Sequence, residues 1–411
     1  MLKPAAATVT IRLWLLGITL GKISVFLVLV SFLHVHPFVG DNTKDYFIPI
    51  AERINSQGSF NDIDSRDYSS VPPGYPFFLA GIYRLAPRSP LIIVVCLQFL
   101  ADLLIGVALL RLGSRFGGVR AGGVAAVLWL LFPPALVIST WITPETLFDA
   151  CVMWVLVLLS VHDVDLRSPL RMVSAGLLLG LATLIRSNTL FLPVAFVAYW
   201  FWRRSYSAAM VFALAFVLPI GAWTVRNRVV LGDPIVVSTS FGSAFMQGSD
   251  DKFYQHKATE YPALMRGAAA AGLTRPTVET GSNMNRWMFR IGMRNYRLRL
   301  EKQGIFAVLG HFGRKLGYMW FLTESGNLRE EAVLSLCSLV VVPLGFWGLW
   351  TWWLTGEAQR ILVITVAFWI GIHLLVVPVA RYMVPVLPVI LLAACIRVET
   401  LLSRKGLLPD E

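Results

Sequence analysis

Ser69-Ser70-Val71-Pro72-Pro73-Gly74-Tyr75-Pro76-Phe77-Phe78-Leu79-Ala80-Gly81 runs a rigid proline-rich turn straight into hydrophobics of membrane grade. Pro72, Pro73 and Pro76 fix their own φ angles and bias the residues before them toward extended backbone, so the chain enters the run with little conformational freedom. Such a turn either shapes a pocket wall or simply opens a helix, where proline at the first helical position is common, and Tyr75 either lines that wall or anchors at an interface. Upstream lies an acidic stretch, Asp41 to Asp67, and before it a long apolar segment.

The rest of the chain is equally apolar. Hydrophobic residues make up 56% of the 411 positions and charged ones 15%, a balance that points to a polytopic membrane protein. A spanning helix needs about 20 mostly apolar residues. Runs of that kind fall at roughly 11–32, 89–110, 119–139, 144–161, 170–186, 188–202, 207–225, 331–354, 360–379 and 381–398, which makes about ten spans. The expected fold is all-α: a single transmembrane domain over 1–411, with outward-facing loops at 33–88 and 226–330. Within the second loop Phe306 to Phe321 alternates basic and apolar residues at helical intervals and reads as an interfacial helix rather than a span.

Orientation follows from lysine and arginine in the short loops. Lys3, Arg12, Arg111, Arg115, Arg120, Arg167, Arg171, Arg203, Arg204, Arg360, Arg397, Arg404 and Lys405 share one side if the count is ten. Both termini are then cytoplasmic, and the first span, with no small-residue cleavage site after it, reads as an uncleaved anchor. Much of the net charge of +12 is this topology signal, which argues against nucleic acid as a partner. The second outer loop gathers further cations that suit membrane lipid head groups or an anionic lipid phosphate.

Cys96, Cys151, Cys337 and Cys395 sit inside apolar runs without metal spacing, so they read as small hydrophobes. No histidine falls in a zinc pattern, and no nucleotide-binding glycine loop is present. No metal site and no cofactor is demanded, although a divalent metal near the carboxylates is compatible with the pattern.

The remaining polar residues stand where lipid disfavours them. Asp41 and Asp45 follow the first span, before a short amphipathic helix that begins at about Ile48; they either cap that helix or serve as carboxylates that take a proton from a hydroxyl. Asp102 lies one third of the way along the second span, a position that costs roughly 2.5 to 3.5 kcal/mol for a charge. Glu145 opens the fourth span after Thr143 and Pro144, as a helix-terminal charge or as a site residue. Arg186, Arg226 and Arg381 each end or begin a span on the outer side, where positive charge is discouraged. Snorkelling anchors would look alike, but three such arginines favour an anionic ligand, since a guanidinium meets phosphate oxygens in bidentate fashion.

The order of span, acidic loop, PPGYP turn and span resembles the GT-C superfamily of glycosyltransferases, which includes the protein O-mannosyltransferases and the aminoarabinose transferase of lipid A. Similarity runs over about 20–400 and is specific in the first loop, around Glu145, and in the blocks Trp223 to Asn227 and His373 to Pro388. The resemblance implies transfer of a sugar from a polyprenyl-phosphate donor to an acceptor hydroxyl on the outer face of a bacterial inner membrane, with inversion. It further implies Asp41 as general base, Asp45 as its rival or an aid to donor or metal binding, and Glu145 in the same cavity. Arg186, Arg226 and Arg381 would hold the donor phosphate, with Tyr46, Pro73, Tyr75 and Tyr382 around the pocket. The acceptor, whether glycan, lipid or protein, is left unspecified. A transporter or flippase of the same lipids is the alternative, and a non-catalytic assembly partner the third class.

Overall fold

The computed structural model describes residues 4–33, 36–40, 43–61, 69–160, 168–250, 269, 272–276, 281–321, 328–356 and 358–407. Among them helices and connections account for the whole fold, apart from one isolated bridge between Phe38 and Trp141. The helix α1 (Pro4–Leu33) leaves Leu13, Trp14, Leu20, Val25 and Phe32 exposed. An apolar face of this kind, with its backbone bonds closed internally, suits lipid.

Behind α1, α4 (Pro90–Phe116) packs on α5 (Val119–Leu131). Pro133 and Pro134 cannot donate to the ladder, so the chain turns by 51° into α6 (Pro133–Thr140). At the C-terminal end of α6 the last carbonyls have no helical partners, and the buried Gln98 of α4 supplies them: its Nε2 donates to the carbonyls of Ser139 at 2.8 Å and Trp141 at 2.7 Å, while the Tyr75 hydroxyl donates to Gln98 Oε1 at 3.2 Å.

The segment after α1 opens with one π-helical turn at Thr43–Phe47 and continues as α2 (Ile48–Gln57) and α3 (Gly74–Leu85), whose apolar faces close over Phe47, Ala51, Tyr75 and Leu79. Next come α7 (Glu145–Ser160), α8 (Pro169–Ile185), α9 (Leu192–Trp202) and α10 (Tyr206–Leu231). Close approach of α8 to α10 depends on two glycines one turn apart. A Cβ on Gly176 would lie 2.4 Å from the Phe212 carbonyl oxygen, and one on Gly180 2.5 Å from Pro219 Cγ, the small-residue contact by which membrane helices pack.

The second half comprises α11 (Phe241–Gly248), α12 (Gly281–Gln303), α13 (Ile305–Phe321), α14 (Leu328–Thr355), α15 (Arg360–Leu375), a 3-10 turn at Ala380–Val386 and α16 (Leu387–Arg404). From Leu387 to Ala394 every residue of α16 is buried, as expected of a helix that is apolar all round. It forms the axis of the bundle, against α14, α5 and α4.

Among the described residues five helices are long and apolar enough to cross a membrane, and a sixth is added if the bent α5–α6 pair is one span. The other expected spans fall on α7, α8, α9 and α15, of 16, 17, 11 and 16 residues. A helix of 16 residues rises about 24 Å, short of the roughly 30 Å hydrocarbon core. Polar or proline-bearing turns bound α8, α9 and α15, so among the described residues at most six of the ten expected spans are full-length helices. The amphipathic segment is α13, and its polarity points inward: His311 and Lys315 are fully buried, while Phe306 and Leu309 are exposed.

Asp102 is neutralised inside the bundle. Lys22 Nζ of α1 lies 2.8 Å from Asp102 Oδ2, which also accepts from the Ser139 hydroxyl at 2.5 Å, and the two charged side chains are 9% and 1% exposed. Removing one partner of such a pair strands the other charge. Lys22→Met should therefore destabilise the protein by about 3–5 kcal/mol, whereas the double variant Lys22→Met/Asp102→Leu should recover most of the loss. Thermal unfolding in detergent measures both.

Candidate active site where α7 begins and α8 ends

The segment leading into α7 is stitched to the first outer loop. Ile142 N–H donates to the Phe38 carbonyl at 2.9 Å, the Thr43 hydroxyl donates to the Ile142 carbonyl at 2.6 Å, and the rings of Phe38 and Trp141 lie 4.6 Å apart. Asp41 itself lies outside the described residues, between Gly40 and Thr43. Asp45 stands exposed on the π-helical turn. Beside it, Tyr46 is half-buried and packs on the cluster of Ile50, Phe60 and Trp223.

Glu145, the first residue of α7, is 3% exposed. Arg186 Nη1 lies 2.6 Å from its Oε1, and Arg381 Nε lies 3.8 Å from the same oxygen. The other oxygen, Oε2, is buried without a hydrogen-bond partner. Both guanidinium groups sit 5.1 Å from the centre of the Tyr382 ring, within the range where a cation is attracted to an aromatic face. Four of the expected site residues, Glu145, Arg186, Arg381 and Tyr382, thus converge.

The PPGYP turn explains how Arg186 is aimed. Pro73 caps α3, and Gly74 lies against the end of α8, where a Cβ would stand 2.8 Å from Ile185 Cγ1 and 2.9 Å from the Leu184 carbonyl oxygen. Arg186 is the next residue, leaving the helix with extended backbone. Tyr75 is fully buried, edge-on to Phe47 at 5.2 Å and bonded to Gln98. The turn therefore opens a helix and, at the same time, sets the level of the arginine.

Arg226 stands apart from this group. Its Nη1 donates to Asn61 Oδ1 at 2.5 Å and to Asn227 Oδ1 at 3.0 Å, and its guanidinium lies over Trp223 at 5.0 Å. These contacts tie the end of the described first loop to α10.

Several residues of the site were not foreseen. His373 Nδ1 lies 2.8 Å from the Trp369 carbonyl and donates to it, which leaves Nε2 to accept from Asn188 Nδ2 at 3.0 Å. Trp369 Nε1 in turn donates to the Tyr382 carbonyl at 2.6 Å. This chain of bonds locks the turn after Arg186 to the turn that carries Arg381. Asp149 sits four residues after Glu145 and so shares its helix face; it is fully buried, and neither oxygen has a hydrogen-bond partner. The interval from Glu145 to Asp149 was its signal in the sequence. Nearby, the Gly248 carbonyl receives Lys315 Nζ at 2.9 Å and the Tyr296 hydroxyl at 3.2 Å, with His311 Nε2 at 3.1 Å, and so ties α11, α12 and α13 together.

Residues 70–223 match the family described as dolichyl-phosphate-mannose-protein mannosyltransferase, a segment running from the PPGYP turn past Glu145 and Arg186 to Trp223. No curated protein matches the chain. Among solved structures, the oligosaccharyltransferase AglB from Archaeoglobus fulgidus, in complex with an inhibitory peptide and a dolichol-phosphate, superposes with a TM-score of 0.59 at 15% identity, covering 96% of this chain and 51% of that one. The apo form of the Archaeoglobus fulgidus oligosaccharyltransferase gives 0.57 at 14% identity, over 95% of this chain and 51% of that one. The chain spans about half the length of these solved relatives, and at such identity the likeness is one of fold. The matched segment runs from α3 into α10, and the superpositions show that the chain as a whole shares its fold with these oligosaccharyltransferases.

Gly74→Ala should force α3 away from α8. Because the clashing atoms include backbone, overpacking of about 1–3 kcal/mol is expected, measured as a lowered unfolding midpoint. Faster hydrogen exchange at residues 184–188 should accompany it.

Proposed function

We propose that the chain is a multi-pass membrane glycosyltransferase that moves a sugar from a polyprenyl-phosphate donor to an acceptor hydroxyl at the outer surface of a bacterial inner membrane, with inversion. The observation that carries this reading is the meeting of Arg186 and Arg381, from separate parts of the chain, at Glu145 beside the first outer loop. The description of the matched family and the dolichol-phosphate named with the solved oligosaccharyltransferase support a lipid-linked donor.

In this mechanism the acceptor oxygen attacks the anomeric carbon while the bond from that carbon to the phosphate oxygen breaks. The hydroxyl proton passes to Asp41, with Asp45 as the rival base. Negative charge grows on the departing phosphate, and Arg186 and Arg381 meet it with preorganised donors, whose value rises where water is excluded. Glu145 holds the two guanidinium groups before the donor binds, and the face of Tyr382 supports them throughout. Arg226, engaged with Asn61, supports the first loop. Holding both reactants at the water boundary supplies orientation.

The test uses the purified full chain with a labelled polyprenyl-phosphate sugar and a membrane extract as acceptor. Label should move to the acceptor and free lipid phosphate should accumulate, and Arg186→Gln should slow transfer about 10²- to 10³-fold. Full transfer in both Asp41→Asn and Asp45→Asn would remove the two aspartates from the base role. Movement of intact donor across the bilayer without cleavage would favour the transporter class.

A further inference from the structure

We infer that Glu145 competes with the donor phosphate for Arg186 and Arg381, so that phosphate binding passes both guanidinium groups from the carboxylate to the lipid. This inference rests on reading the cluster as the donor site.

The geometry at Glu145 is that of an anion site. One carboxylate oxygen is shared by two guanidinium groups, at 2.6 Å and 3.8 Å, and it sits at the N-terminus of a 16-residue helix, where unpaired backbone N–H groups favour negative charge. A phosphate oxygen asks for the same donors. The second carboxylate oxygen is buried without a hydrogen-bond partner, so this position does not satisfy Glu145 fully.

The parts differ in how firmly they are held. Arg186 follows directly on α8, its backbone N–H bonded to the Ala182 carbonyl at 2.9 Å. Arg381 belongs to the 3-10 turn that Trp369 and His373 fasten, and both arginines rest on the Tyr382 face. Glu145 is attached through three rotatable bonds, with the Thr143 side chain and its own backbone N–H beside the carboxylate, and its Oε2 lacks a hydrogen-bond partner. When a second anion arrives, the arginines stay and the carboxylate turns aside. The site therefore does not hold Glu145 and a phosphate on the same two arginines, since like charges at such separations repel strongly where the dielectric is low.

Competition makes an unusual prediction: removing an acidic residue should tighten binding without adding any contact. Polyprenyl monophosphate is titrated into the full-length protein in nanodiscs of zwitterionic lipid. Glu145→Gln, which keeps the shape and drops the charge, should bind about tenfold tighter or more. Glu145→Asp, which keeps the charge, should not gain affinity, and Arg186→Gln should lose it. Unchanged or weaker binding by Glu145→Gln, alongside weaker binding by Arg186→Gln, overturns the competition and leaves the donor site standing. Full affinity in Arg186→Gln removes the donor site itself, and the competition with it. If Glu145→Gln does not fold, a structure of the unaltered protein with polyprenyl monophosphate decides. Separation of Glu145 from Arg186 is expected, and persistence of their 2.6 Å contact beside bound phosphate overturns the inference.

Discussion

The contact between Glu145 and Arg186 gives the outer end of the bundle its shape. Glu145 opens α7, Arg186 closes α8, and Arg381 reaches the same oxygen from the turn before α16. In water such an ion pair contributes little, but behind a protein wall, with Glu145 3% exposed, it fixes three chain segments relative to one another. The aromatic face of Tyr382 and the bonds of Trp369, His373 and Asn188 brace it from the side. Gly74 decides whether α3 comes close enough to α8 to complete the frame.

Residues with a lipid-imposed cost were the most legible in the sequence. Glu145, Arg186 and Arg381 stand out in apolar runs because each carries a charge that a bilayer disfavours, and the fold gathers all three. Asp102 stood out for the same reason, and its partner Lys22 could have been paired with it, since each was the lone charge deep within its own span. Each of the ten apolar runs falls on helix, whereas α12, rich in arginine, offered no such run. Apolar content also does not reveal where Pro133 or the turn after Arg186 ends a helix.

Other residues left no local mark. Gln98 looks like a lone polar residue inside an apolar helix, yet it closes the end of α6 by bonding two carbonyls some forty residues further along the chain. The role of Gly74 is a matter of which backbone lies opposite, and periodicity carries nothing about that. Arg226 matched the other two arginines in sequence context and parted from them in space, because Asn61 comes within reach only once the first loop has folded. The polarity of α13 deceived in the opposite way: an amphipathic pattern says that two faces differ, but the cationic face found its partner in a carbonyl, Gly248, and turned inward.

The pairing of Lys22 with Asp102 has a consequence for how the chain enters the bilayer. Alone, each of α1 and α4 carries an uncompensated charge into hydrocarbon, at roughly 2.5 to 3.5 kcal/mol even on the permissive scale for insertion. Together they carry none. Pairing removes that cost from both helices at once, so α1 and α4 reach their final depth more readily as a unit than singly.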